Sequence, residues 1–484
     1  MIFSNLEPAN VWRYFDDICK IPRLSKNEEQ IRQYLIDFAE RENLEHRSDD
    51  VGNVLIIRPA SKGYEKRKSV LLQSHMDMVG EKDAATEHDW AKDPIIPFIE
   101  DRWVKAKETT LGADDGIGMA AQLALLADRD IQIGRIECLF TVDEESGMTG
   151  AIHLGKNFFD SKILINLDSE DEGELFIGCA GGMDTLAEME YRKEDRPEDQ
   201  ESLKISVNGL HGGHSGDEIH KGYANSVKIM TALLQELSDS YNISLSDFNG
   251  GNLRNAIPRE AFARFTCDKG KAEEIKKLVE AYTEKVRKEY SKTEPDLSIS
   301  VNTIKPVAHI IDPETQRSLL KALEECPHGV IAWSEDMEGL VETSTNLASV
   351  KFTGEKIRIV TSQRSSVESA KREIAGRINS IFSANGASVK HSGGYPGWKP
   401  DTNSEILNIT RASYRRLFDT EPVVRAIHAG LECGLILEKY PGLDMISFGP
   451  TIYGAHTPQE RLDIDTTKKF WDLLLDVLKN IPSA

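Results

Sequence analysis

Cysteine is sparse in this chain and never clustered. Six of 484 residues are Cys (Cys19, Cys138, Cys179, Cys267, Cys326, Cys433), and no Cys-x-x-Cys pair occurs. That excludes a zinc knuckle and a disulfide frame. Cys138 and Cys179 lie in apolar stretches, so the cysteines read as reduced core residues of a cytoplasmic protein. No apolar run is long enough to span a bilayer. The start, Met1-Ile2-Phe3-Ser4-Asn5, has no basic region leading into an apolar one, so no signal peptide is expected. Positive charge is short too: 59 Lys+Arg stand against 80 Asp+Glu, a formal net charge of −21. This argues against nucleic acid or an anionic membrane as the main partner, favours solubility, and could help concentrate divalent cations. The remainder is ordinary globular composition, 39% hydrophobic and 29% charged, long enough for roughly two to four domains.

The stretch around which the chain is organised is Thr141-Val142-Asp143-Glu144-Glu145-Ser146-Gly147. It follows Arg135–Phe140, which reads as a buried strand. Three adjacent carboxylates at a strand end repel one another and lose solvation on burial, so they require cations or protons nearby. Open α/β sheets place ligands at that end of their strands. Taken alone, the stretch reads more readily as a solvated acidic turn.

The neighbouring segments repeat the pattern. Ser25–Glu28 has the spacing of a capping box and opens a helix with Ile31, Tyr34, Leu35 and Phe38 on one face. Asn53–Ile57 and Val70–Gln73 read as strands, and the second delivers His75 and Asp77 at its end. One of these two would ligate a metal while the other orients the imidazole or polarises the site. Thr109–Gly118 is a glycine-rich turn before an amphipathic helix marked by Met119, Leu123 and Leu126. Its aspartates, Asp114 and Asp115, would repel phosphate and the P-loop lysine is missing, so a metal-bridging aspartate fits better. Spacing does not choose between the two. Ile163–Leu167, another apolar strand, ends in Asp168. Successive strand-like segments, or the loops after them, thus deliver His75, Asp114, Glu144 with Glu145, and Asp168.

From about residue 187 to 391 the pattern becomes α+β and carries a faint internal repeat, with strands over Leu203–Val207 and Leu297–Val301 each expected to open one unit. The first unit holds His211-Gly212-Gly213-His214, whose histidines could be ligands, electrophiles or plain loop residues. The second holds Arg364 at a strand end, which by itself reads as a surface charge. After the glycine- and aromatic-rich loop Ser392–Trp398 the α/β pattern resumes, with strands over Pro422–Ile427 and Leu443–Phe448, the segment His428–Cys433, and a loop carrying His456.

Together His75–Lys82, Leu111–Ala120, Thr141–Ala151, Asn166–Asp171, His211–Gly216, His428–Gly434 and Gly454–Arg461 resemble, in order and spacing, the dinuclear zinc metallopeptidases that include carnosinases, aminoacylases and carboxypeptidase G enzymes, and within them the aminoacyl-histidine dipeptidase branch. The resemblance covers nearly the whole chain. It implies an α/β catalytic domain with a central mixed sheet flanked by helices (residues 1–186 and 392–484). An inserted α+β lid would occupy residues 187–391, built of two units at about 187–293 and 294–391. It implies two zinc ions per chain, with manganese or cobalt as substitutes. Asp114 would bridge them, His75 and Asp168 would complete one site, and Glu145 and His456 the other. Asp77 would orient His75, and Glu144 would be the general base. His214 would be the lid histidine, and Asn255, Arg364 and Gly430 would hold the substrate. The implied function is hydrolysis of dipeptides with a free C-terminal carboxylate, including Xaa-His and β-alanyl-histidine, by a cytoplasmic enzyme expected to be a homodimer and to take small peptides as partners. A tripeptidase or an N-acyl-amino-acid amidohydrolase would use the same site, and a non-catalytic metal- or peptide-binding protein is the alternative of a different class.

Overall fold

The computed structural model describes residues 2–484. The chain divides into two compact units. One comprises residues 1–179, 400–426 and 431–484, and the other residues 180–399 and 427–430.

The first unit is built on an eight-stranded mixed sheet. Its order is Glu45–Ser48, Val54–Arg58, Ile136–Thr141, Val70–His75, Ile163–Asn166, Asp444–Ser447, Glu174–Cys179, Val423–Ile427. The four central strands run parallel, and Val54–Arg58 lies antiparallel to Ile136–Thr141. Val70–His75, Ile136–Thr141 and Ile163–Asn166 are buried along their whole length, as near-continuous apolar runs in a covered parallel sheet should be. Helix Ala113–Ala127 packs on the Val70–His75 strand and helix Glu405–Phe418 on Asp444–Ser447. Because the central strands are parallel, their C-terminal ends gather at one edge, and His75, Thr141 and Asn166 mark it.

Ser25–Glu28 does not form the expected capping box. Helix Glu29–Arg41 has no side-chain cap at its start. The Ser25 hydroxyl instead donates to Asp77 at 2.7 Å, and Glu28 accepts the backbone N–H groups of Lys26 and Asp143 at 2.8 and 3.1 Å. A tertiary acceptor with a full charge outcompetes the local bond.

The second unit is organised by one nine-stranded sheet. Its order is Ser298–Thr303, Gln200–Asn208, Ala261–Asp268, Ser244–Gly250, Val341–Phe352, Lys356–Ser365, Gly181–Glu190, Ser388–His391, with Gly329–Trp333 also pairing Val341–Phe352. A four-stranded half and a five-stranded half join through a single antiparallel pair, Gly250 with Val350. Leu203, Ile205 and Val207 alternate with Lys204 and Ser206, and the apolar set meets helices Ser226–Ser240, Ala272–Glu289, Pro313–Glu325 and Glu368–Ala384 in one core. The strand expected to open the second lid unit, at Leu297–Val301, belongs to the first half, where Ser298–Thr303 flanks Gln200–Asn208 as an edge. The second half takes Gly181–Glu190 instead, paired with Lys356–Ser365. This unit therefore begins at 180 rather than 187 and extends to 399. Among the described residues no helix is long and apolar enough to cross a membrane.

Candidate metal centre

In the first unit the parallel strand ends bring together side chains that are far apart in sequence. His75 closes its strand, buried, with Nε2 2.9 Å from Asp114 Oδ1 and 3.2 Å from Asp168 Oδ1. His456 Nε2 lies 3.2 Å from the other oxygen of Asp114 and 2.9 Å from Glu145 Oε2. Asp114 thus presents one oxygen to each imidazole. His456 sits on a loop with φ +63°, a left-handed conformation uncommon for a residue with a β-carbon. Glu144 and Glu145 begin a short helical turn straight after the Ile136–Thr141 strand.

Around these lies a layer that fixes them. Asp77 is fully buried. Its Oδ1 is 3.5 Å from His75 Nδ1, and its carboxylate accepts the backbone N–H groups of Glu144 and Glu145 at 3.0 and 3.2 Å. Asp115, adjacent to Asp114, turns elsewhere and accepts the Gly118 N–H at 3.1 Å. The loop carrying Asp114 is held by Glu460, whose buried carboxylate accepts the N–H groups of Leu111, Gly112 and Ala113 at 2.7, 2.9 and 2.7 Å. Arg23, also buried, donates to the carbonyls of Asp77 at 2.7 Å and of Gly112, tying the segment after His75 to the one before Asp114. Glu432 accepts from Gln73 and Thr141, each at 2.6 Å, beneath the strand ends. Neither Glu460 nor Arg23 nor Glu432 carried a role in the sequence reading. A lone glutamate whose task is to accept backbone N–H groups leaves no spacing signal.

The charge balance states what the site requires. Hydrogen bonds that His456 donates to Asp114 and Glu145 push its pKa up to about 11. Burial pushes Glu144 up to about 8, with Glu432, Glu145 and Asp114 adding to the rise and His75 opposing it. His75 is also held above its usual range: burial works against it, and Asp168, Asp114 and Asp77 prevail. Clustered acids drawing protons onto their neighbours are a set that divalent cations would neutralise. The donors suit such ions, imidazole nitrogen and carboxylate oxygen, and those of His75, Asp114 and Glu145 lie within 4.8 Å of one another. Glu145 Oε1 is buried without a hydrogen-bond partner, a lone pair left for a cation. A second acidic group, Glu28, Asp77 and Asp143, is equally compact. Its oxygens are occupied by N–H and O–H donors, including Ser146 and Thr149 on Asp143, so it is scaffolding.

The second unit carries the other residues singled out in the sequence. His214 and Asn255 line a cavity of about 790 Å³, together with His211 and Arg259. His214 Nδ1 lies 3.2 Å from the Asp217 backbone N–H and 3.4 Å from Asp217 Oδ2. The Asn255 carbonyl accepts the Ser215 N–H at 2.8 Å, and its side chain is exposed. Arg364, expected on local grounds to be a surface charge, is buried at 7% exposure, and its Nε has no hydrogen-bond partner. Gly430 and His428 lie on the short segment 427–430, fastened by the Ala180 N–H to the Ile427 and Ala429 carbonyls, each at 3.0 Å. His428 Nε2 meets the Ser344 hydroxyl at 2.8 Å.

Comparison with known proteins agrees with this chemistry. The model of peptidase family M20/M25/M40 matches residues 71–480. The chain is 42% identical over 480 residues to the cytosol non-specific dipeptidase of Escherichia coli (strain K12), covering 99% of each chain. It matches the crystal structure of aminoacylhistidine dipeptidase from Vibrio alginolyticus with a TM-score of 0.95 and 42% identity, covering 100% of this chain and 98% of that one. Aminopeptidase PepT from Bacillus cereus ATCC 10987, at 16% identity and a TM-score of 0.58 over 98% of this chain and 99% of that one, shares the fold. The clustered ligand types at the sheet edge and these full-length likenesses have one meaning: the chain belongs to peptidase family M20/M25/M40 and is a metallopeptidase.

Proposed function

We propose that this protein is a dipeptidase that hydrolyses dipeptides with a free C-terminal carboxylate, Xaa-His and β-alanyl-histidine among them, at a centre of two zinc ions. The observation that carries the reading is Asp114, one carboxylate with its two oxygens on two different imidazoles, the arrangement that a shared ligand of two cations needs. His75 and Asp168 would hold one ion and Glu145 and His456 the other, with Asp114 between, and manganese or cobalt would substitute. When bound, such a pair polarises a carbonyl and lowers the pKa of water.

The chain's own residues do the rest. Glu144 takes a proton from the attacking water and returns it to the leaving amine. His214 offers a ring N–H to the developing oxyanion, a contribution of about 3–4 kcal/mol for a donor of this kind. Arg364 pairs with the substrate carboxylate, and its unpartnered buried Nε supports that role. Asn255 and Gly430 hold the substrate backbone. The names of the two relatives at 42% identity support a dipeptide substrate, and the Escherichia coli relative supports a cytoplasmic setting. A homodimer is the assembly proposed.

The test is metal analysis combined with a substrate panel: β-alanyl-histidine, other dipeptides, a tripeptide and N-acetyl amino acids. Two zinc ions per chain and preferential cleavage of dipeptides are expected. Preferential cleavage of the tripeptide or of the N-acetyl compounds would replace the substrate assignment. No hydrolysis after zinc or manganese is restored would replace the catalytic one.

A further inference from the structure

The loop Ser392–Trp398 has no task in the function above, yet its Tyr395 is built into the second unit with care. Ser344 pairs with Arg364, and Arg364 with Gly182, across neighbouring antiparallel strands. Gly182 in turn bridges to Tyr395, N–H to carbonyl in both directions, at 3.0 and 2.9 Å. Residues directly opposite in such a ladder project from the same face. Arg364 and Tyr395 therefore share a face, with only a glycine between them.

The glycine is what lets them meet. A β-carbon on Gly182 would stand 2.7 Å from Cε1, Cζ and the hydroxyl of Tyr395. On the ring's other edge, a β-carbon on Gly430 would stand 2.7 Å from Cε2 and 3.1 Å from the hydroxyl. The phenol is wedged between two positions that tolerate no side chain, and its hydroxyl accepts from Arg364 Nη1 at 3.3 Å. The buried ammonium of Lys371 donates to the Tyr395 carbonyl and fixes the loop from behind.

We propose that Tyr395 is a positioning residue that sets the guanidinium of Arg364 for the substrate's C-terminal carboxylate, with Gly182 and Gly430 kept small to admit its ring. The proposal rests on the reading of Arg364 as the group that binds this carboxylate. A long flexible side chain loses rotamer freedom when it binds, and a partner that orders it beforehand removes that cost from the binding step. Holding Nη1 also leaves the other guanidinium donors directed to the ligand.

The test uses Tyr395→Phe, Arg364→Ala and the double variant, with kcat and KM measured for one dipeptide and for its C-terminal carboxamide. Tyr395→Phe keeps the ring and its packing. It should raise KM for the free dipeptide about fivefold, the worth of one hydrogen bond, with a smaller change in kcat. KM for the carboxamide should not follow, and the substitution should add nothing in the Arg364→Ala background. Gly182→Ala, which displaces the ring and leaves the hydroxyl in place on it, should reproduce the KM rise. An unchanged KM in Tyr395→Phe, an equal rise on the carboxamide, or a loss additive with Arg364→Ala would overturn the proposal. If Arg364→Ala keeps the preference for the free carboxylate, the reading of Arg364 itself falls. If Arg364→Ala abolishes that preference and Tyr395→Phe leaves it intact, only the Tyr395 assignment falls.

Discussion

Asp77 Oδ1 accepts the backbone N–H of Glu144 at 3.0 Å while standing 3.5 Å from Nδ1 of His75. One buried carboxylate thus stands beside the His75 imidazole, whose Nδ1 also meets the Asp77 carbonyl at 3.2 Å, and anchors the turn that carries both Glu144 and Glu145. Groups behind a ligand commonly set its affinity by about 10–100-fold. Asp77→Ala should weaken metal binding by about that factor. It should also lower kcat at saturating metal, because the Glu144 turn loses its anchor. Calorimetric metal titration and kcat at saturating zinc separate the two effects, and a full kcat at saturation would restrict Asp77 to the imidazole.

Glu460 makes a prediction of the same kind for the opposite loop. Its carboxylate gathers three backbone N–H groups ahead of Asp114, all in a buried setting. Glu460→Ala would strand these donors and the Asp114 N–H, 3.4 Å from Glu460 Oε1, without acceptors, and each buried donor left unsatisfied costs about 1–3 kcal/mol. Glu460→Gln keeps an acceptor oxygen and should lie between. Denaturant unfolding gives the stability change, and metal titration should show weaker binding in the same order. Wild-type stability in Glu460→Ala would mean that the loop is held by its other contacts.

Much of the ligand edge was legible in the sequence because parallel buried strands announce themselves as apolar runs, and the residue after such a run stands at the sheet's ligand edge. His75 and Asp168 follow that rule, and Glu145 lies on the helical turn four residues beyond the Ile136–Thr141 strand. Asp114 does not, since it follows a loop rather than a central strand. Spacing did not separate it from Asp115, and only the family resemblance chose Asp114; their directions differ, one toward two imidazoles and the other toward the Gly118 N–H. The second unit's architecture was less legible. Gly181–Glu190 pairs with Lys356–Ser365 across some 170 residues of chain, and no local pattern encodes a partner at that range. Ser25 misled for the converse reason, its local capping spacing being overridden by a distant carboxylate.

Glu144 has its backbone held by Asp77 and no assigned place among the metal ligands. Glu144→Gln should therefore retain metal and lose turnover by about 100-fold or more, the usual worth of a general base. Metal content after dialysis and kcat on one dipeptide decide it. Loss of metal along with turnover would move Glu144 among the ligands, and undiminished turnover would remove it from the mechanism.

His428 gives the acid limit of the second unit. Its ring is 6% exposed and bound to the Ser344 hydroxyl, and burial, helped by Arg364 and His220 and opposed by Asp217 and the Val341 backbone, lowers it to about 3. In the unfolded chain it titrates near 6.5. Between these values the unfolded state holds the extra proton, so stability is full above about pH 6.5 and falls as the pH drops toward 3. Over pH 6.5 to 4 that loss is on the order of 3 kcal/mol. His428→Gln can still bond to Ser344 and cannot titrate. Its unfolding free energy should track that of the wild type above pH 7 with a constant offset, then decline less steeply below pH 6.5, by urea denaturation at each pH. Parallel acid slopes in the two proteins would mean that His428 takes its proton as readily folded as unfolded.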